Sequence, residues 1–403
     1  MGVVMRGVTV AAPTGWGPDG DEVADLRIDG GVVTERVPVG ERRLEVRPGD
    51  EVLDGGRVTP PLAEPHVHLD AALLGARAPN VSGTLREGIA NWARLREGLT
   101  AADVRDRALQ TAEMYAAWGC LRLRTHVDTG STVAVEALVG LEGELAARGI
   151  ELQVVAFPQE GILRAPGRRE AWEAAVRAGC HVVGGIPHFE RTTEEGWASV
   201  RLAFDLAEAT GKPLDFHCDE TDDPGTRNLE VVCAQAIDRG FGGRVVAGHC
   251  TALHSYSNPY AAKVVELVAA AGVQVVANPL DNVVLQGRYD TYPRRRGLTR
   301  VDALWAAGAR VGIGHDSVQD PWYRLGTANL LDAAYMLVHL GHLTGEADLR
   351  RAFATLHGDN HLPFGGPPPI AAGQPARLLW WPSADPVDLL RDRPRPRVFR
   401  GLG

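Results

Sequence analysis

Two histidines one residue apart, His66 and His68, lie in the run VTPPLAEPHVHLD. Imidazole is a frequent ligand for divalent transition metals. Side chains two apart on a strand point to the same face, so the pair can converge on one cation while Val67 turns the other way. Alone, an H-x-H pair fits two hydrogen-bonded histidines as well as a ligand pair. Three further stretches shift that balance: FHCDE at 216–220, GHC at 248–250 and GHD at 314–316 each end an apolar, strand-like run. A hydrolytic mononuclear centre needs three or four protein ligands and one position open to water. His66, His68, His217 and Asp316 would supply three imidazoles and a carboxylate, a set suited to zinc or ferrous iron. Such an ion lowers the pKa of water towards neutrality and provides a nucleophile at physiological pH.

The elements that must position these residues follow a regular pattern. Eight strand-like runs, VTPPLAEPHVHLD, LRLRTHVD, ELQVVAFP, HVVGGIP, PLDFHCDE, RVVAGHC, VQVVANP and ARVGIGHD, alternate with helix-like segments such as 101–118, 133–147, 194–210 and 259–271. That alternation predicts an α/β fold in which parallel strands, buried on both faces, close into a (β/α)8 TIM-like barrel. Active sites of such barrels lie at the carboxyl ends of the strands. His66, His68, His126, Gln159, His217, Glu220, His249 and Asp316 all fall at or just beyond those ends.

The first 55 or so residues, with short alternating runs such as DLRIDG and RRLEVRP, predict a small antiparallel β unit. The Pro/Gly-rich stretch HLPFGGPPPIAAG marks the end of the barrel, and the tail runs ARLLWWP and PRVFRG read as short strands returning to the amino-terminal unit. The expected organisation is a barrel over residues 59–367 and a small β-sandwich built from both termini, residues 1–58 and 368–403.

Composition narrows the partners. A formal net charge of -9 argues against binding a nucleic-acid backbone, which needs a basic face. No apolar run is long enough to cross a bilayer. The first twenty residues lack a basic start followed by an apolar stretch, so a cytoplasmic protein without membrane partners is expected. Five cysteines without a CxxC pair read as buried reduced thiols. Homo-oligomerisation is left open.

At the level of motifs, the chain resembles the bacterial-type cytosine deaminases of the amidohydrolase superfamily. The resemblance rests on PPLAEPHVHLD, SGTLREGI, RTHVD, VVAFPQEGIL, IPHFE, HCDETDD, TALHSY, VANPLDNVVLQGRYDTYPRRRG, GHDSVQDPWYRLGTAN and IAAG. It implies His66, His68, His217 and Asp316 as ligands of one Zn or Fe(II) ion. It further implies Glu220 as proton shuttle and His249 as a non-ligand histidine beside the water; elementary chemistry adds that Asp316, next to that water, can accept its proton. Gln159 is implied to bind the polar edge of a pyrimidine base, with Trp322 and Leu85 lining the pocket. His126 and His188 are expected in supporting roles, Asp70 as a brace of the strand-end turn, and YPRRRG as a solvated or ion-paired loop. Binuclear relatives use a lysine at the end of the fourth strand; here HVVGGIP has none, Lys212 precedes the fifth strand and Lys263 sits in a helix, so one metal is expected. The PCxxC element of the other zinc deaminase chemistry is missing as well.

One departure bears on the substrate. Cytosine deaminases typically carry two aspartates where this chain reads GHDS, and the second is replaced by Ser317. In the family that second carboxylate borders the substrate near its amine and 5-position. A smaller, neutral side chain leaves room for a 5-substituent, so 5-methylcytosine, with thymine as product, becomes the expected substrate alongside cytosine. Alternatives are another cyclic amidine such as creatinine, isocytosine or an aminotriazine, or a catalytically silent scaffold.

Overall fold

A computed structural model of the chain describes residues 2–12 and 20–402. The amino-terminal strands are β1 (Val3–Val10), β2 (Glu22–Asp29), β3 (Val32–Pro38), β4 (Glu51–Asp54) and β5 (Arg57–Thr59). The barrel strands are β6 (Leu62–Val67), β7 (Cys120–Asp128), β8 (Glu151–Phe157), β9 (Val182–Gly185), β10 (Leu214–Cys218), β11 (Val245–His249), β12 (Gln274–Ala277) and β13 (Val311–Ile313). The chain ends on β14 (Arg377–Trp381) and β15 (Arg397–Arg400).

Strands β6 to β13 pair in sequence order, all parallel. A bridge between Val67 and Asp316, with the Asp316 N–H donating to the His66 carbonyl at 3.0 Å, joins the last edge to the first. Every residue of β6, β10, β11 and β12 is buried, as a barrel wrapped by helices requires. Its core includes Leu123, Val154, Phe204, Leu214, Val264 and Leu337.

The two ends of the chain meet in one mixed sheet of order β15-β14-β5-β1-β2-β3, with β4 also on β1. The antiparallel expectation needs correcting there: β4 and β5 both run parallel to β1. The run VTPPLAEPHVHLD is not one strand either. Pro60 and Pro61, which have no N–H to give a ladder, separate β5 in the mixed sheet from β6 in the barrel. RRLEVRP forms no strand. Its backbone is engaged by the buried Arg27, which donates to the Glu45 carbonyl and pairs with Asp50 at 2.9 Å, while Leu44 packs on Val4 and Val37.

Helices follow the expected segments closely. One spans Ala101–Ala117, another Thr193–Thr210, capped by the Thr192 hydroxyl accepting from the Glu195 N–H, and a third Asn258–Ala271. The segment expected as one helix over 133–147 is two, Thr132–Val139 and Glu142–Ala147, broken at Gly140. Among the described residues no helix is long and apolar enough to cross a membrane.

Candidate metal centre and cleft

The carboxyl end of the barrel gathers the histidines. His66 ends up on β6, His68 one residue past it, His217 on β10 and Asp316 three residues past β13. The Nε2 atoms of His66 and His68 lie 3.2 and 3.1 Å from Nε2 of His217. Asp316 Oδ1 is 3.8 Å from His66 Nε2 and 3.5 Å from His68 Nε2. Four ligands held about 2.1 Å from a zinc-sized ion stand about 3.4 Å apart in a tetrahedron, so this spacing fits one cation. All four side chains are buried.

The electrostatics agree with that fit. Burial first, then the neighbouring histidines, push His66, His68 and His217 well below the usual histidine range, leaving their lone pairs free to coordinate. Burial, then Asp281 and Glu220, push Asp316 well up. A cation among these groups would favour the ionised form of Asp316 and keep the imidazoles unprotonated. Two other trios also bring their donor atoms together around His66, one with His217 and His249 and one with His126 and Asp215.

Several residues hold the donors in place. Phe157 stacks on His217 with ring centres 3.9 Å apart. Glu64, fully buried on β6, accepts the backbone N–H of His66 at 2.9 Å and of His315 at 3.0 Å, tying the first strand to the last. Burial raises its carboxyl to about 8. The glycines of GHC and GHD make room for the ring: a Cβ on Gly248 would lie 2.9 Å from His66 Cε1, and one on Gly314 3.1 Å from His66 Cβ. Two donor-bearing residues adopt backbone angles seldom seen outside glycine, φ 66° at His249 and 68° at Asp316. Such strain concentrates at functional sites.

His249 sits beside the ligand set, with Nδ1 3.6 Å from Glu220 Oε1 and Nε2 3.8 Å from Asp316 Oδ2. Asn282 Nδ2 meets its Nδ1 at 3.0 Å. Glu220 is buried, and desolvation raises its carboxyl to about 8, favouring the protonated form.

One cleft of about 310 Å³ is lined by His68, Leu85, Gln159, His217, Glu220, His249, Asp281, Leu285, Asp316, Ser317 and Trp322. Every pocket residue anticipated from sequence is therefore in one place. Trp322 stands over His68 with ring centres 6.0 Å apart. The cleft also revises one argument. The Ser317 hydroxyl donates to the buried carboxyl of Asp281 at 2.6 Å, so the acid missing at 317 has a counterpart in the helix Pro279–Leu285 and the cleft keeps a carboxyl group.

Sequence reasoning passed over Asn278, Asp281 and Asn282. Their spacing at i, i+3 and i+4 across the helix Pro279–Leu285, directly after a strand-like run, is the pattern of one helix face and could have flagged them. Glu64 was missed too, since a lone carboxylate in an apolar strand has no partner visible in sequence.

His126 lies against the His66 ring, 4.1 Å between centres, and 3.3 Å from Asp215, itself ion-paired with Arg124 at 2.9 Å. His188 is in a short 3-10 turn, pushed down to about 4 by burial. Asp70 accepts N–H groups of Ala71 and Asp128, both at 2.9 Å, and so braces the strand-end turn. Lys212 donates to the carbonyls of Val176, at 2.7 Å, and Cys180, and Lys263 pairs with Glu230. In YPRRRG, Arg295 is ion-paired with Asp290 at 2.6 Å. The five cysteines are buried and free.

Comparison with known proteins gives a consistent set. The sequence model of the family described as "Amidohydrolase family" matches residues 53–361. A pterin deaminase of Rhizobium rhizogenes is 30% identical over 387 residues, 92% of this chain and 85% of that protein. The crystal structure of 5-methylcytosine deaminase from Klebsiella pneumoniae liganded with 5-fluorocytosine superposes with a TM-score of 0.89 at 37% identity, covering 99% of this chain and 94% of that one. An N-isopropylammelide isopropylaminohydrolase from Burkholderia multivorans shares the fold, with a TM-score of 0.78 at 24% identity over 99% of this chain and 97% of that one.

Proposed function

The chain belongs to the amidohydrolase family, and on that premise we propose that it hydrolytically deaminates a free cytosine-type base, 5-methylcytosine to thymine and cytosine to uracil, with release of ammonia. The observation that carries the reading is a cleft in which three of the four donors, His68, His217 and Asp316, face the buried acid Glu220 and the planar amide of Gln159. Its polar groups converge beside the apolar side chains of Leu85, Leu285 and Trp322, the usual make-up of a small-molecule site. The likeness to 5-methylcytosine deaminase over nearly the whole chain supports the same substrate class.

His66, His68, His217 and Asp316 would hold one zinc or ferrous ion, which when bound would supply a water activated at neutral pH. Glu220, kept protonated by burial, donates to the ring nitrogen next to the carbon that loses its amine. Proton transfer of this kind is worth about 10²–10⁴-fold. Gln159 offers a donor and an acceptor on one plane to the amide-like edge of the ring. Trp322 covers the ring, while Leu85 and Leu285 form an apolar wall. His249, pinned by Asn282 at 3.0 Å, turns Nε2 towards Asp316 and orients the nucleophile. Ser317 is short enough to leave space beside the 5-position.

The pterin deaminase relative favours a second reading, since a pterin carries an aminopyrimidinone edge within a larger bicycle. Ammonia release by metal-loaded protein from cytosine, 5-methylcytosine, isocytosine, creatinine and pterin decides between them. Turnover of the cytosine bases is expected. Turnover of pterin alone would replace the proposal, and no release from any of the five would remove both readings.

A further inference from the structure

Asp281 is a carboxyl group without a stated task. It is 2% exposed and lines the cleft together with Glu220, Asp316 and Ser317. Its Oδ2 accepts the Ser317 hydroxyl at 2.6 Å, and its Oδ1 is buried with no hydrogen-bond partner among the described residues. A buried carboxyl oxygen left unpaired costs free energy unless something in the cleft satisfies it. The short helix Pro279–Leu285 holds it rigidly, with Asn282 of the same helix on His249.

The chemistry of a cytosine ring names what can satisfy it. The ring has two kinds of N–H donor, the exocyclic amine and one ring N–H, while its oxygen and other ring nitrogen are acceptors. Gln159 follows β8 and Asp281 follows β12, so the two approach the cleft from different strand ends. With the carbonyl and ring N–H edge on Gln159 and the second ring nitrogen on Glu220, the amine is the donor left for Asp281. We infer that Asp281 is a specificity-determining residue whose free Oδ1 accepts a hydrogen bond from the substrate's exocyclic amino group, and that Ser317 fixes the carboxyl in that orientation through Oδ2. The assignment rests on the cytosine-type reading above. It makes the Ser317 hydroxyl a working part of the cleft rather than only a small residue.

The test is a comparison of ligands with and without the amine. kcat/KM for 5-methylcytosine and Ki for pyrimidin-2-one, the same ring lacking the amine, are measured for the native protein, Asp281→Asn and Ser317→Ala. Leaving a buried polar group unmatched costs roughly 5–150-fold. Asp281→Asn is expected to lower kcat/KM within that range and to change Ki by less than about threefold, at unchanged metal content. Ser317→Ala is expected to show the same pattern with a smaller fall. Equal losses for both compounds would make Asp281 a structural residue and overturn the assignment, as would no loss for either. A native chain that neither deaminates 5-methylcytosine nor binds pyrimidin-2-one would instead overturn the cytosine-type reading, and the assignment with it.

Discussion

Replacing Ser317 with aspartate puts the substrate proposal at risk in a way the structure quantifies. The Ser317 hydroxyl touches the Asp281 carboxyl at 2.6 Å, so a carboxylate at 317 would stand within about 4 Å of a second one. At an effective dielectric constant of about 20 that repulsion is about 4 kcal/mol, or about three pKa units. The pair then holds one proton near neutral pH. An acid whose folded-state pKa is raised binds more protons folded than unfolded, so the stability it costs grows as pH rises above its unfolded value of about 4. The melting-temperature deficit of Ser317→Asp relative to the native protein should therefore widen between pH 5 and pH 8, and should largely disappear in Ser317→Asp/Asp281→Asn. In an ammonia-coupled assay the bulkier, charged side chain should also oppose a 5-methyl group. A methyl is worth about 1–3 kcal/mol, so the preference for 5-methylcytosine over cytosine should fall about 10–200-fold. An unchanged preference would refute the role given to Ser317, and a deficit of equal size at both pH values would refute the charge argument.

Other outcomes follow from the same geometry. Glu220→Gln keeps the shape but cannot transfer the proton, so kcat should fall about 10²–10⁴-fold with metal content unchanged; a loss under tenfold would remove Glu220 from that role. Gly248→Ala sets a Cβ 2.9 Å from the His66 ring. Metal affinity, measured by competition with a chromogenic chelator, should weaken by about 10–100-fold, the scale of lost support for a ligand; native affinity would contradict the crowding. His361 uses both ring nitrogens while neutral, Nε2 at 2.7 Å from the Pro61 carbonyl and Nδ1 at 3.1 Å from Arg122. Burial pushes it down to about 3. The unfolded chain, with a histidine pKa near 6.5, takes up that proton first, so stability is lost as pH falls below about 6.5, by about 2 kcal/mol at pH 5. Denaturant unfolding of native and His361→Gln should show the native protein losing that much more between pH 7 and pH 5; parallel losses would contradict it.

The barrel could be read from sequence because its signals are local. Apolar runs such as RVVAGHC and ARVGIGHD each ended in residues capable of chemistry, and the period-two rule placed His66 and His68 on one side of a strand. What stayed hidden depended on contacts between distant segments. Glu64 matters because it bonds the backbone of His315, 251 residues away. Asp281 matters because it meets Ser317 across 36 residues. Alternation in RRLEVRP predicted a strand, but the buried Arg27 guanidinium claimed its backbone instead. The parallel pairing of β4 and β5 with β1 was equally out of reach, since alternation gives the face of a strand and not its direction.

The account rests on a single divalent ion held by His66, His68, His217 and Asp316. Anomalous diffraction from crystals of the metal-loaded protein, collected at the absorption edge of the ion found by elemental analysis, tests it most directly. One full-occupancy peak within about 2.3 Å of the three Nε2 atoms and an Asp316 oxygen is the predicted result. A peak centred instead on His126 and Asp215, or none at that end of the barrel, would contradict it.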